Sequence, residues 1–135
     1  MFKSISFHTD VRQTLVNLTD EVRAFVAESG ITEGICLVYC GHSTACIVVN
    51  SYLDPKTPED IVYELDRIVP TRVDFHHQFD TPSDASAHVK ASLTGTHVSI
   101  IIHEGKLLLG HSQGILFAEF DGPRDRSVQV KALAG

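Results

Sequence analysis

Three features of the sequence predict an α+β fold with a mostly antiparallel or mixed sheet. Residues 34–40 and 45–50 are continuous apolar runs of strand length, as expected for strands in the middle of a sheet. Val22, Phe25 and Val26, and later Ile61, Leu65, Ile68 and Val69, recur at helical spacing. Strands and helices are interspersed without a strict βαβ rhythm, which disfavours a doubly wound parallel sheet. At 135 residues the chain suits one domain and can build a core without metal or disulfide staples.

In chain order, residues 2–8 read as a strand, while residues 11–18 fit neither period well. Thr19 is placed to cap a first helix, with Asp20 and Glu21 in its first turn and Gly30 as its stop. After the two apolar strands, Asp54-Pro55 breaks the chain. Thr57 and Pro58 then open a second helix that ends before Pro70. Residues 71–86 are the least regular stretch, and a loop of that length in a small domain is more often functional than idle. Residues 87–93 form a short third helix ended by Gly95. Residues 98–103 and 106–109 make a hairpin about Glu104-Gly105. Two further strands, 114–120 and 127–130, flank the turn-forming Asp121-Gly122-Pro123-Arg124.

Composition narrows the function. A formal charge of −6 argues against a nucleic-acid surface, which would normally be basic. No apolar run reaches the roughly 20 residues of a membrane-spanning helix. The N-terminal residues lack a signal-peptide pattern, so a cytoplasmic location is expected. Cys36, Cys40 and Cys46 are an odd set without CxxC spacing, and read as small buried hydrophobes in a reducing compartment. Glycine-rich phosphate loops, the G-x-S-x-G elbow and the H-E-x-x-H zinc motif are all absent.

What remains is eight histidines, several at loop or strand ends near carboxylates. His42 follows the first apolar strand within Gly41-His42-Ser43-Thr44, His76 and His77 lie in the long loop, and His88 is four residues after Asp84. Neutral imidazole is the commonest metal ligand, and a carboxylate often fixes its second nitrogen, so this set suits zinc or a related divalent ion. The plainer reading is that single histidines at strand ends are solvated or hydrogen-bonded, and His8, His97 and His103 fit it. Arg124 and Arg126 form a two-arginine face able to clamp phosphate, or else a salt-bridged turn with Asp121 and Asp125.

Several motifs together resemble a known family. They are His42-Ser43-Thr44-Ala45, Asn50, Asp54-Pro55, Asp60, His77, Asp84 and Ala87-His88-Val89-Lys90-Ala91. Gly95, Gly105-Lys106-Leu107, Leu109-Gly110, Gln113-Gly114-Ile115 and Asp121-Gly122-Pro123-Arg124 extend the match over most of the chain. In order and spacing the chain resembles the YjbQ-like family, also called secondary thiamine-phosphate synthase enzymes. The resemblance implies a barrel-like sheet, a homotrimer and a site near subunit boundaries with histidines and acids around a metal. It also implies a weak activity joining a pyrimidine methyl diphosphate to a thiazole phosphate. Ser51 stands where the family usually has Glu, and His111-Ser112 where it has Thr-Trp.

The expected function is therefore a metal-assisted enzyme on a phosphorylated small molecule. A divalent cation of the zinc or magnesium class would be held by His42, His77 and His88. Asp54, Asp60, Asp84 and Gln113, with His42, would serve catalysis, and Lys90 and Arg124 would contact phosphate. The alternative is a trimeric ligand-binding or interaction module without chemistry of its own. Neither reading calls for nucleic acid or membrane.

Overall fold

Eight strands and three helices form along the chain: β1 (Phe2–His8), β2 (Thr14–Asn17), α1 (Thr19–Ser29), β3 (Gly34–Tyr39), β4 (Ala45–Ser51), α2 (Lys56–Ile68), α3 (Pro82–Thr94), β5 (His97–His103), β6 (Lys106–Leu107), β7 (Gln113–Glu119) and β8 (Asp125–Ala134). The computed structural model describes residues 1–78 and 80–135, so Phe79 of the long loop lies outside the described residues. Among the described residues all strand pairings are antiparallel. They make a five-stranded sheet, β1-β8-β3-β5-β6, and a three-stranded sheet, β2-β7-β4.

The two sheets curl about one core. On the five-stranded sheet Cys36, Val38, Ile100, Ile102, Val128 and Val130 point inward, alternating with outward residues as the strand period requires. Ile47, Ile115 and Phe117 of the three-stranded sheet meet them, and α1 inserts Val22, Phe25 and Val26. The other face of β4 and β7 carries Cys46, Ala118 and, just past β7, Phe120. These pack on Ala87 and Ala91 of α3. Covering on both faces explains the unbroken apolar runs of β4 and β7.

Local expectations fail where tertiary partners intervene. β3 is central but not covered on both faces, since Ile35 is 50% and Tyr39 44% exposed. Thr19 does not cap α1. Its backbone N–H donates to Asn17 Oδ1, while its hydroxyl accepts the β7 Ile115 N–H at 2.9 Å. Thr57 does not open α2 either, because Asp54 Oδ1 accepts the Lys56 N–H and starts the helix two residues sooner. α3 begins at Pro82, inside the stretch expected to be loop, with Thr81 as its cap and Pro at the first position. The residues left ambiguous before α1 supply β2, whose pairing with β7 decides the matter.

All three cysteines are buried and free, and burial pushes the Cys36 and Cys46 thiols up to about 11. Among the described residues no helix is long and apolar enough to cross a membrane. Phe117 is fully buried with its ring 4.9 Å from that of Phe7. Phe117→Ala is expected to lower unfolding free energy by about 3–5 kcal/mol in a urea titration.

Candidate functional site

The capping of α3 by Thr81, whose hydroxyl accepts the Asp84 N–H at 3.2 Å, fixes the first turn of the helix. Asp84 stands in that turn and His88 is one turn later on the same face. His77 reaches in from the preceding loop, so its Nε2 lies 2.8 Å from Asp84 Oδ2, and the His88 Nε2 lies 3.3 Å from the same oxygen. The two rings meet edge to face at 5.2 Å between centroids. One ligand atom each from His77, Asp84 and His88 falls within 4.8 Å of the others. Two imidazoles and a carboxylate at this separation can take a zinc-like or other divalent ion and leave coordination positions open.

The Asp84 side chain is almost fully buried. Burial opposes its ionisation, but His77, Asp121 and His88 outweigh that and hold its carboxyl below the usual range. Asp121 faces it and is shifted the other way. Burial raises it and Asp84 adds repulsion, against the pull of Arg124, whose Nη2 lies 2.8 Å from Asp121 Oδ2.

Behind this pair is a buried ion network. Arg126 Nε donates to Glu119 Oε2 at 2.7 Å, its Nη2 donates to Glu119 Oε1 and to the Thr44 hydroxyl, and Thr9 donates to Glu119 Oε2. Burial alone would raise Glu119, but the Arg126, Asp121 N–H and Thr9 hydrogen bonds bring it below its ordinary value. Thr9 also accepts the Arg124 N–H, so the network holds both the turn bearing Asp121 and Arg124 and the start of β4.

His42 lies on the same cavity, of about 390 Å³, whose walls include Ser43, Asp84, His88, Arg124 and Arg126. Its Nε2 accepts the Ser127 N–H at 3.0 Å, which assigns its proton to Nδ1. Burial, with Arg126 nearby, lowers its pKa and keeps the ring neutral near pH 7.

A family model described as UPF0047 protein YjbQ-like matches residues 3–135. The chain belongs to the YjbQ-like UPF0047 family. It is 38% identical over 135 residues to UPF0047 protein YugU of Bacillus subtilis, covering 98% of this chain and 99% of that one. A UPF0047 protein of Methanocaldococcus jannaschii is 41% identical over 125 residues, 93% of this chain and 88% of its own. The fold is shared with a YjbQ/UPF0047 protein of Clostridium acetobutylicum, at TM-score 0.92 and 42% identity over 97% of this chain and 99% of that one. A protein of unknown function from Sulfolobus solfataricus matches at TM-score 0.94 and 34% identity, over 100% of this chain and 97% of its own.

Within this YjbQ-like chain the expected site residues separate into groups. His77, Asp84 and His88 converge, and His42 and Arg124 line one cavity with Asp84 and His88. His42 is not part of this triad, and its Nε2 accepts a backbone N–H. Asp54, Asp60 and Gln113 lie elsewhere. Ser51 pairs with Gln113 at one end of β4–β7 and Ala45 with Glu119 at the other, a separation of about 20 Å along the strands. There Gln113 Oε1 accepts the Gly110 N–H, and Asp54 and Asp60 are exposed. His111 is exposed in the same turn. Lys90 is fully buried. Its ammonium donates to Asp66 Oδ1 at 2.7 Å and to Gln13 Oε1, leaving no surface for a phosphate.

Glu119, within the segment that leads to Arg124 and Arg126, is a residue to which the sequence motifs assign no role. Its signal was present, since a carboxylate inside a run buried on both sides demands a partner. The depressed Glu119 value contributes stability that is present above its unfolded value, about 4.3, and is lost as pH falls through the folded value. Glu119→Gln should remove that acid-limb dependence and cost about 3–5 kcal/mol at neutral pH by stranding Arg126. Urea titrations of both proteins across the acid range check this, and an unchanged acid limb would contradict it.

Proposed function

We propose that this YjbQ-like protein is a metal-assisted enzyme acting on a phosphorylated small molecule. One observation carries the reading. Two imidazoles and a carboxylate converge within 4.8 Å of one another, beside a polar cavity that also presents His42 and Arg124. His77, Asp84 and His88 would hold the cation, which in that position supplies charge neutralisation at a phosphoryl oxygen.

The chain's own groups complete the environment. Arg124 is half exposed and spends one edge on Asp121, so its remaining N–H groups are free for an anionic oxygen. His42 holds a proton at Nδ1 and can donate it as a hydrogen bond to a ligand oxygen. Asp121 steadies both the metal ligand Asp84 and the anion contact Arg124. The pyrimidine–thiazole joining that the family resemblance implies is one reaction of this class, and we assign it as a secondary activity.

The proposal extends to a homotrimer. Ile35 pairs with Ile101 on one side and Leu133 on the other, and all three are at least 50% exposed on the outer face of the five-stranded sheet. Such an apolar row is typical of an association surface. Asp54, Asp60 and Gln113, remote from the cavity in a single chain, would then act at a neighbouring subunit's site.

Protein purified without chelator should carry about one divalent ion per chain by elemental analysis. His77→Ala, Asp84→Asn and His88→Ala should each weaken zinc or manganese binding by more than the roughly 10–100-fold that loss of a supporting residue costs. Equal affinity in wild type and His88→Ala would sink the metal centre. Ligand-induced stabilisation without turnover would move the reading to a binding module.

Sedimentation equilibrium should give three times the chain mass, and Ile101→Glu should shift it toward the monomer. A monomeric wild type would refute the assembly.

A further inference from the structure

A cavity larger than the one lined by His42 and His88 is on another part of the molecule, and none of its lining residues is shared with the histidine cavity. It is a slot of about 610 Å³ between α2 and the three-stranded sheet, within the range of about 300–1,000 Å³ that small-molecule sites occupy.

Its origin is in α2. The helix has a strong apolar stripe, yet none of its 13 residues is buried. Val62 and Tyr63 form a roof, Leu15 and Leu116 a floor. Tyr52 closes one end with its ring against the bare backbone of Gly114, where an added Cβ would come within 2.6 Å of the ring.

The polar lining is one-sided. Asp66 and Glu59 bring carboxylates to the slot and no basic side chain lines it. Lys90 meets Asp66, but it is wholly buried with its ammonium already on Asp66 and Gln13. The Lys90 hydrogen bond holds Asp66 ionised, below the usual carboxylate range. Lys56 meets Glu59 at 3.4 Å with both side chains largely exposed, a contact worth little. Arg12 acts on Asp66 only through space.

We propose that this slot is a second ligand site, for a planar aromatic molecule carrying a cationic N–H group of the amidinium or arylammonium class. The ring lies between the Leu15–Leu116 floor and the Val62–Tyr63 roof, and the cation faces Asp66 and Glu59.

Benzamidine and benzoate, flat molecules of like size and opposite charge, are the probes. By ligand-observed NMR and thermal shift, benzamidine is expected to bind saturably and benzoate roughly tenfold more weakly or not at all. Val62→Trp, which fills the slot from a half-exposed position, should abolish benzamidine binding while leaving the circular dichroism spectrum and metal content unchanged. His88→Ala should keep benzamidine binding, which separates this site from the proposed metal centre. Absence of saturable binding, equal binding of benzoate, or undiminished binding by Val62→Trp would overturn the proposal. So would a Val62→Trp protein that changes its sedimentation while wild type ignores benzamidine, because a second copy would then fill the slot.

Discussion

The buried pair Glu119–Arg126 is the constraint on which the candidate site depends. Removing two full charges from water costs several kcal/mol per ion unless the remaining hydrogen-bonding capacity is met. Here Thr9, Thr44 and the Asp121 N–H meet it, so four separate pieces of chain converge on one carboxylate and one guanidinium. Those pieces are the turn after β1, the entry to β4, the end of β7 and the start of β8. The loops they bear are the ones that carry His42, Asp121 and Arg124. A shift at this pair would therefore move the cavity wall as a unit.

The histidine cluster follows a different logic. Asp84 is in the first turn of α3, where the helix dipole favours a negative charge, and it is buried enough that its partners decide its state. His77 and His88 each aim a ring nitrogen at the same oxygen. Among the described residues no buried side-chain polar atom lacks a partner, so this arrangement coexists with a fully satisfied interior.

α2 is the contrast. Lys90–Asp66 fastens it to α3, but its apolar stripe finds only partial cover. The Lys90–Asp66 contact thus holds the helix while its stripe borders the slot over the three-stranded sheet.

Patterns local in sequence were legible without the structure. The strands of residues 34–40 and 45–50, the α1 stripe with its Gly30 stop, the α+β class and the grouping of Asp84 with His88 all rest on side-chain period or helix spacing, which the chain carries within a few residues. Other features were decided at long range. β2 exists because β7 pairs with it, and Thr19 lost its capping role because Ile115 takes its hydroxyl. Lys90 left the surface because Asp66 and Gln13 draw it inward, and the His42 Nε2 is taken by the Ser127 N–H rather than turned to the histidine cluster. Such partners are distant in the chain, 96 residues for Thr19 and Ile115, and no periodicity encodes them. Sequence alone determined most of the strands and helices and which residue types carry chemistry. Only the tertiary structure decided which of those residues meet, because burial and hydrogen-bond competition are settled when the sheets close on one another.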